Sequence, residues 1–155
     1  MTLAKEFATR FAGLRQAYGT FTASNDQRED GKENGKNITI SKELDDDAVL
    51  QLWENHLAGK QSIGIVPIDE NNSCVWGAID VDEYQLDLKS LSKKIAKYEL
   101  PLIVCRSKSG GAHVYLFVSE PVSASMIQRK LRQLAAALGF GQAEIFPKQT
   151  QLLLE

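Results

Sequence analysis

The sequence predicts an α+β fold: a β-α-β-β-α-β core of ferredoxin-like or RNA-recognition-motif type, with an N-terminal α/β extension packed on it. Three observations predict it. From residue 73 onward, short apolar runs rich in β-branched and aromatic residues alternate with stretches of helical periodicity, in that order. The two helical stretches each carry one apolar stripe, and Gly139 stops the second. The polar residues within the strand-like runs fall on one face when side chains are alternated.

Each element has its own signal. Leu3, Phe7, Phe11, Leu14 and Tyr18 recur at helical spacing, so a helix is expected over 3–17, with Gly19 as its stop. The stretch "TASNDQREDGKENGKNITISKELDDD" is polar and glycine-bearing and reads as a long loop. A second helix is expected over 46–58, with Val49, Trp53 and Leu57 on one face. His56 near its end reads as a capping or solvated histidine. "SIGIVPI" (62–68) is a strand candidate, and "DENNS" is a turn. Then come a strand at 74–82 and a helix at 86–98 with Leu88, Leu91, Ile95 and Tyr98 on one face. Strands follow at 102–106 and 113–118. A helix at 123–138 carries Ile127, Leu131, Leu134 and Leu138, and "AEIF" is a last short strand. The chain is expected to form one domain over 1–155, with an extension over 1–70 and the core over 73–149.

Right-handed crossovers give this topology the sheet order fourth-first-third-second. The end of the first core strand then lies beside the starts of the third and fourth. Asp80 and Asp82 end the first, His113 starts the third and Glu144 starts the fourth. Alternation sends Ile79, Val81, Val114, Leu116 and Ile145 toward the helices. Asp80, Asp82, His113, Tyr115, Phe117, Glu144 and Phe146 share the other face.

Composition excludes some classes. The 155 residues are 43% hydrophobic and 25% charged, with a net charge of −2, so no global basic field draws in a polyanion. The apolar runs are too short to span a bilayer, and "MTLAKEFATRF" shows no long apolar signal segment. Cys74 and Cys105 lack metal-ligand spacing and sit in apolar runs, which reads as buried free thiols in a reducing, cytoplasmic location.

Strand residues two apart lie about 6.5 Å from each other, so Asp80 and Asp82 can converge on one ion. Alone, the pair reads as the solvated end of a strand. Glu144 on a neighbouring strand completes a set of hard oxygen donors that favours Mg²⁺ or Mn²⁺. The turn "RSKSGGAH" (106–113) carries Arg106 and Lys108 beside Ser109, Gly110 and Gly111, whose amides can form an anion-binding nest. A plain hairpin turn uses the same residue types. Lys148 in "FPKQ" is a further candidate phosphate contact, with a solvated lysine as its plain alternative. Tyr115 and Phe117 suit base stacking of the RNA-recognition kind, or burial as core.

Taken together, "AIDVD", "SKSGGAHVYLF" and "AEIFPKQ" resemble the motifs of the archaeo-eukaryotic primase superfamily. The likeness is greatest to the primase-polymerase domains of bacterial TOTE conflict systems and mobile elements, and covers about residues 18–149. It includes "DGKENGK" and "HLAGKQSIGIVPI", which look like that group's N-terminal module. The resemblance implies that Asp80, Asp82 and Glu144 hold divalent metal ions and that His113 contacts the triphosphate of an incoming nucleotide. Glu144 stands where many members have Asp. The implied activity is template-directed nucleotidyl transfer with Mg²⁺ or Mn²⁺. Implied partners are nucleoside triphosphates, a single-stranded DNA or RNA template, and helicase or mobile-element replication proteins, with no membrane. The chain ends soon after the third motif, so a shortened core that binds metal and nucleotide without extending a primer is one alternative. A non-catalytic single-strand-binding module is another. A rolling-circle nuclease would want a His-x-His pair, and His56 and His113 do not form one.

Overall fold

The computed structural model describes residues 1–27, 33–83, 85–108 and 110–153. They form two compact units, Met1–Val66 and Pro67–Glu155.

The first unit begins with helix α1 (Leu3–Arg10), whose N-cap is Thr2. It is shorter than the expected 3–17. The chain leaves the helix at Phe11, and at Gly13 a Cβ would lie 2.1 Å from the Val66 carbonyl oxygen. Leu14 N–H donates to that same oxygen at 2.9 Å. Tyr18 therefore belongs to a strand. Strands β1 (Ala17–Gln27) and β2 (Glu33–Ser41) pair antiparallel, with Tyr18 opposite Ile40 and Thr20 opposite Ile38. The long loop expected here is thus a hairpin. Its pairs are supplied by β-branched residues at Thr20, Thr22, Ile38, Thr39 and Ile40, hidden in a polar composition. Of the "DGKENGK" stretch, residues 30–32 fall outside the described residues.

Helix α2 (Asp46–Leu57) starts at N-cap Asp45, whose carboxylate accepts the Ala48 N–H at 2.8 Å. Its buried Trp53 packs against Phe7 and Phe11, with ring centroids 5.3 and 5.5 Å away. His56 Nδ1 lies 3.0 Å from the Gln61 carbonyl, closing the helix end. The strand expected at 62–68 is reduced to one bridge, Gly19 with Gly64. Pro67 has no N–H to extend the pairing.

The second unit is the predicted core. Strand β3 (Ser73–Val81) leads to helix α3 (Leu88–Lys97), strands β4 (Ile103–Arg106) and β5 (Ala112–Ser123), helix α4 (Ala124–Leu138) and strand β6 (Glu144–Phe146). The sheet order is β4-β5-β3-β6 and every pairing is antiparallel, the order the sequence predicts. Leu91, Ile95, Ile127, Leu131 and Leu134 cover one sheet face, burying Ile79, Val81, Val114 and Ile145. Gly77 lets α4 close on β3, because a Cβ there would come within 2.6 Å of Ile127 and Leu131. Cys74 is buried, but Cys105 is exposed, contrary to expectation. It pairs with His113 and so points to the face that α3 and α4 do not cover.

Candidate active site at one sheet edge

Register builds this site. Asp80 is the direct partner of His113 on β5 and of Glu144 on β6. Directly paired residues point to the same face. Cys105 extends the row on β4 as the partner of His113. Residues far apart in sequence thus stand side by side because Ile79 and Val81 anchor the opposite face. A one-residue slip would invert every one of them.

Asp80 is half-buried, and its carboxyl is pushed above the ordinary aspartate range. Burial is the main cause. The charges of Asp82 and Glu144 push the same way, while His113 and Lys148 oppose. His113 Nε2 lies 3.5 Å from Asp80 Oδ1. Its other nitrogen, Nδ1, lies 3.3 Å from the Tyr115 hydroxyl. Burial pushes that hydroxyl up to about 12, so it keeps its proton and can donate to Nδ1. Sequence reasoning offered Tyr115 only as a stacking or core ring. The period-2 spacing of His113 and Tyr115 on one face was the available signal.

Asp82 lies one residue beyond the end of β3 and is exposed. It borders an open cleft of about 610 Å³, lined by residues 80–83 and 139–144. The wall formed by 139–143 was missed in the sequence, where only the stop at Gly139 was noted. Glu144 is half-exposed, and its Oε1 accepts from Lys148 Nζ at 2.7 Å. Lys148 also sits 5.0 Å from the centre of the Phe146 ring. Gln128 Nε2 donates to the Pro147 and Lys148 carbonyls at 3.1 and 3.0 Å, which ties this segment to α4.

The 106–113 turn lies at the same edge. Arg106 ends β4 opposite Ala112, and Arg106 and Lys108 are exposed. Ser109 falls outside the described residues. Gly110 has φ +92°, the left-handed region that favours glycine. Its N–H donates to the Ser107 carbonyl at 3.2 Å, inside the turn. Gly111 is needed for contact: a Cβ would lie 2.1 Å from the Val81 carbonyl oxygen. Overpacking of this kind costs about 1–3 kcal/mol.

As a donor set, Asp80, Asp82 and Glu144 fit a hard divalent cation: all are oxygen donors, Asp80 and Glu144 are direct register partners, and Asp82 follows two residues after Asp80. Burial raises the Asp80 carboxyl most, and the charges of Asp82 and Glu144 add to that rise. Side-chain closure is not made in this conformation. Among the described residues, no three His, Cys, Asp or Glu groups are gathered to hold a metal ion, and Glu144 is turned to Lys148.

A family model described as the archaeo-eukaryotic primase domain of TOTE conflict systems matches residues 5–152. The chain belongs to that family. Its membership points to primase-type nucleotidyl transfer, with nucleotide and nucleic-acid template as partners. It also reaches α1, which lies before the 18–149 stretch that the motifs suggested. A comparison with curated proteins finds no match. Among the described residues, no helix is long and apolar enough to cross a membrane.

Proposed function

We propose that this primase-family domain is a metal-dependent nucleotidyltransferase that joins nucleoside triphosphates on a single-stranded nucleic-acid template. One observation carries the proposal: the row Glu144–Asp80–His113 across three strands, of which Asp80 and Glu144 line a cleft, beside a turn with two cations.

Asp80, Asp82 and Glu144 hold Mg²⁺ or Mn²⁺ in this scheme. The bound ion supplies charge neutralisation at the reacting phosphates. His113 donates from Nε2 to a phosphate oxygen, with its ring oriented by the Tyr115 hydroxyl. Arg106 and Lys108 supply positive charge at the turn, the Gly110–Gly111 backbone approaches the triphosphate, and Lys148 contacts phosphate from just beyond the end of β6. A strand's 3′-hydroxyl attacks the α-phosphate and pyrophosphate leaves. The protein's share is positioning and electrostatic stabilisation of developing charge.

The test is Mn²⁺-dependent nucleotide incorporation on a single-stranded template, with Asp80→Ala/Asp82→Ala as the control. Loss of incorporation and of metal-dependent nucleotide binding in the double variant is expected. Nucleotide binding that is unchanged in that variant would sink the metal assignment. Metal-dependent binding without incorporation would leave a core that binds nucleotide but does not extend a primer.

A further inference from the structure

The helical face of the sheet has a charge character opposite to that of the carboxylate edge. Helix α3 carries four lysines and α4 carries two arginines and a lysine, with no Asp or Glu in either helix. This concentration sits in a chain whose net charge is −2, so it is segregation rather than general basicity. The nearest acids in sequence, Asp87 and Glu99, stand outside the ends of α3, and Asp87 is occupied capping that helix.

Geometry turns these cations into a line. On α3, Lys89, Lys93 and Lys97 recur every four residues, a spacing that puts them on one side of a helix. Leu91 and Ile95 are buried on the other side, and the three lysines are exposed. The two helices run in opposite directions, because they return from strands of opposite sense. Lys94 Nζ donates to the Leu138 carbonyl at 3.0 Å, which sets the middle of α3 beside the end of α4. The line therefore continues along α4 to Lys130 and Arg129, both exposed. At about 1.5 Å of rise per residue, it runs about 20 Å. That length meets several phosphates of one nucleic-acid strand.

Beside the line stands Tyr98, 58% exposed, with Lys97 Nζ 5.7 Å from its ring centre. An exposed aromatic next to a cation track is a stacking platform for an unpaired base. An anionic lipid surface fits less well. Binding there needs an apolar helix face to enter the interface, and the apolar stripes of α3 and α4 are spent on the sheet.

We propose that the face formed by α3 and α4 binds the phosphate backbone of single-stranded nucleic acid, on the side of the sheet opposite Asp80, His113 and Glu144. The proposal rests on the charge and packing of the helices alone. It stands whether or not the carboxylate edge performs nucleotidyl transfer. A strand held there is tethered to the domain independently of the reaction cleft.

The experiment is fluorescence anisotropy of a labelled oligothymidylate with the full chain, over a series of salt concentrations and without metal or nucleotide. The variant is Lys89→Glu/Lys93→Glu/Arg129→Glu, with circular dichroism to verify its fold. Lys89→Gln/Lys93→Gln/Arg129→Gln serves if the charge reversal does not fold. Wild type is expected to bind with affinity that falls as salt rises. The variant should bind about tenfold or more weakly, and its log–log salt slope should flatten by about two, at about 0.7 per lost phosphate contact. Tyr98→Ala should weaken binding of the single strand more than of a duplex. Unchanged affinity and slope in the variants overturns the proposal. So does a wild-type chain that binds anionic vesicles but not the oligonucleotide, or that binds neither.

Discussion

Asp80 shows how one residue's meaning is set by its neighbours. Its carboxyl is raised by burial and by two nearby acids, and it faces His113 across one strand pair and Glu144 across another. Lys148 holds a Glu144 oxygen that the proposed metal ion would need. The Glu144–Lys148 pair is more than half exposed at both ends, and exposed pairs are worth about 0.2–1 kcal/mol. A divalent ion can displace so weak a partner. Lys148→Met should therefore tighten Mn²⁺ binding in the absence of nucleotide, by up to about fivefold for a pair of that strength. Calorimetric titration of Mn²⁺ into both proteins checks this. An unchanged or weakened affinity would mean that Glu144 is not a ligand or that Lys148 does not compete for it.

At the scale of elements, α3 matters because it leads from the carboxylate strand to β4 and carries most of the basic line. Its start depends on Asp87, whose Oδ1 accepts the Lys89 and Ser90 N–H groups at 3.0 Å and whose Oδ2 accepts the Ser90 hydroxyl at 2.7 Å. These bonds, the Ser90 hydroxyl foremost, hold the Asp87 carboxyl below its ordinary range. The folded state thus gives up this proton more readily than the unfolded chain does. The cap stabilises the fold above the unfolded carboxyl value and is lost as pH falls through the folded one. Asp87→Ala should lower the thermal midpoint at neutral pH, and the gap from wild type should close in acid. Melts across the pH range test it. A gap that persists below the carboxylate range would point to lost packing rather than a lost charged cap.

The whole molecule divides into two units, and the candidate site residues all lie in the second, Pro67–Glu155. That unit contains the complete four-stranded sheet, both covering helices and the apolar set from Ile79 to Ile145. Residues 67–155 expressed alone are therefore expected to fold with a cooperative thermal transition. They should also bind the labelled oligothymidylate through α3 and α4. A chain that shows no cooperative melt would mean that the core needs residues from the first unit.

Local pattern was sufficient for the second unit. Periods of 2 and 3.6 placed β3, α3, β4, α4 and β6 within two residues, β5 ran on to Ser123 beyond the expected 118, and topology then ordered the strands. Because side-chain parity is a local property, the shared face of Asp80, His113 and Glu144 was legible before any coordinate. What depended on distant backbone was not legible. Helix α1 stops early because Val66 approaches Gly13, and polar β1 and β2 form a hairpin through backbone pairing rather than an apolar stripe. Nor did residue type reveal that Lys148 holds Glu144, that the Tyr115 hydroxyl meets His113, or that Cys105 is exposed. In the second unit, neighbours along the chain determined which elements form and which residues share a face, since both follow from local pattern. Tertiary structure alone decided which side chains pair across strands and which glycines are filled by another backbone, since those depend on contacts between distant segments.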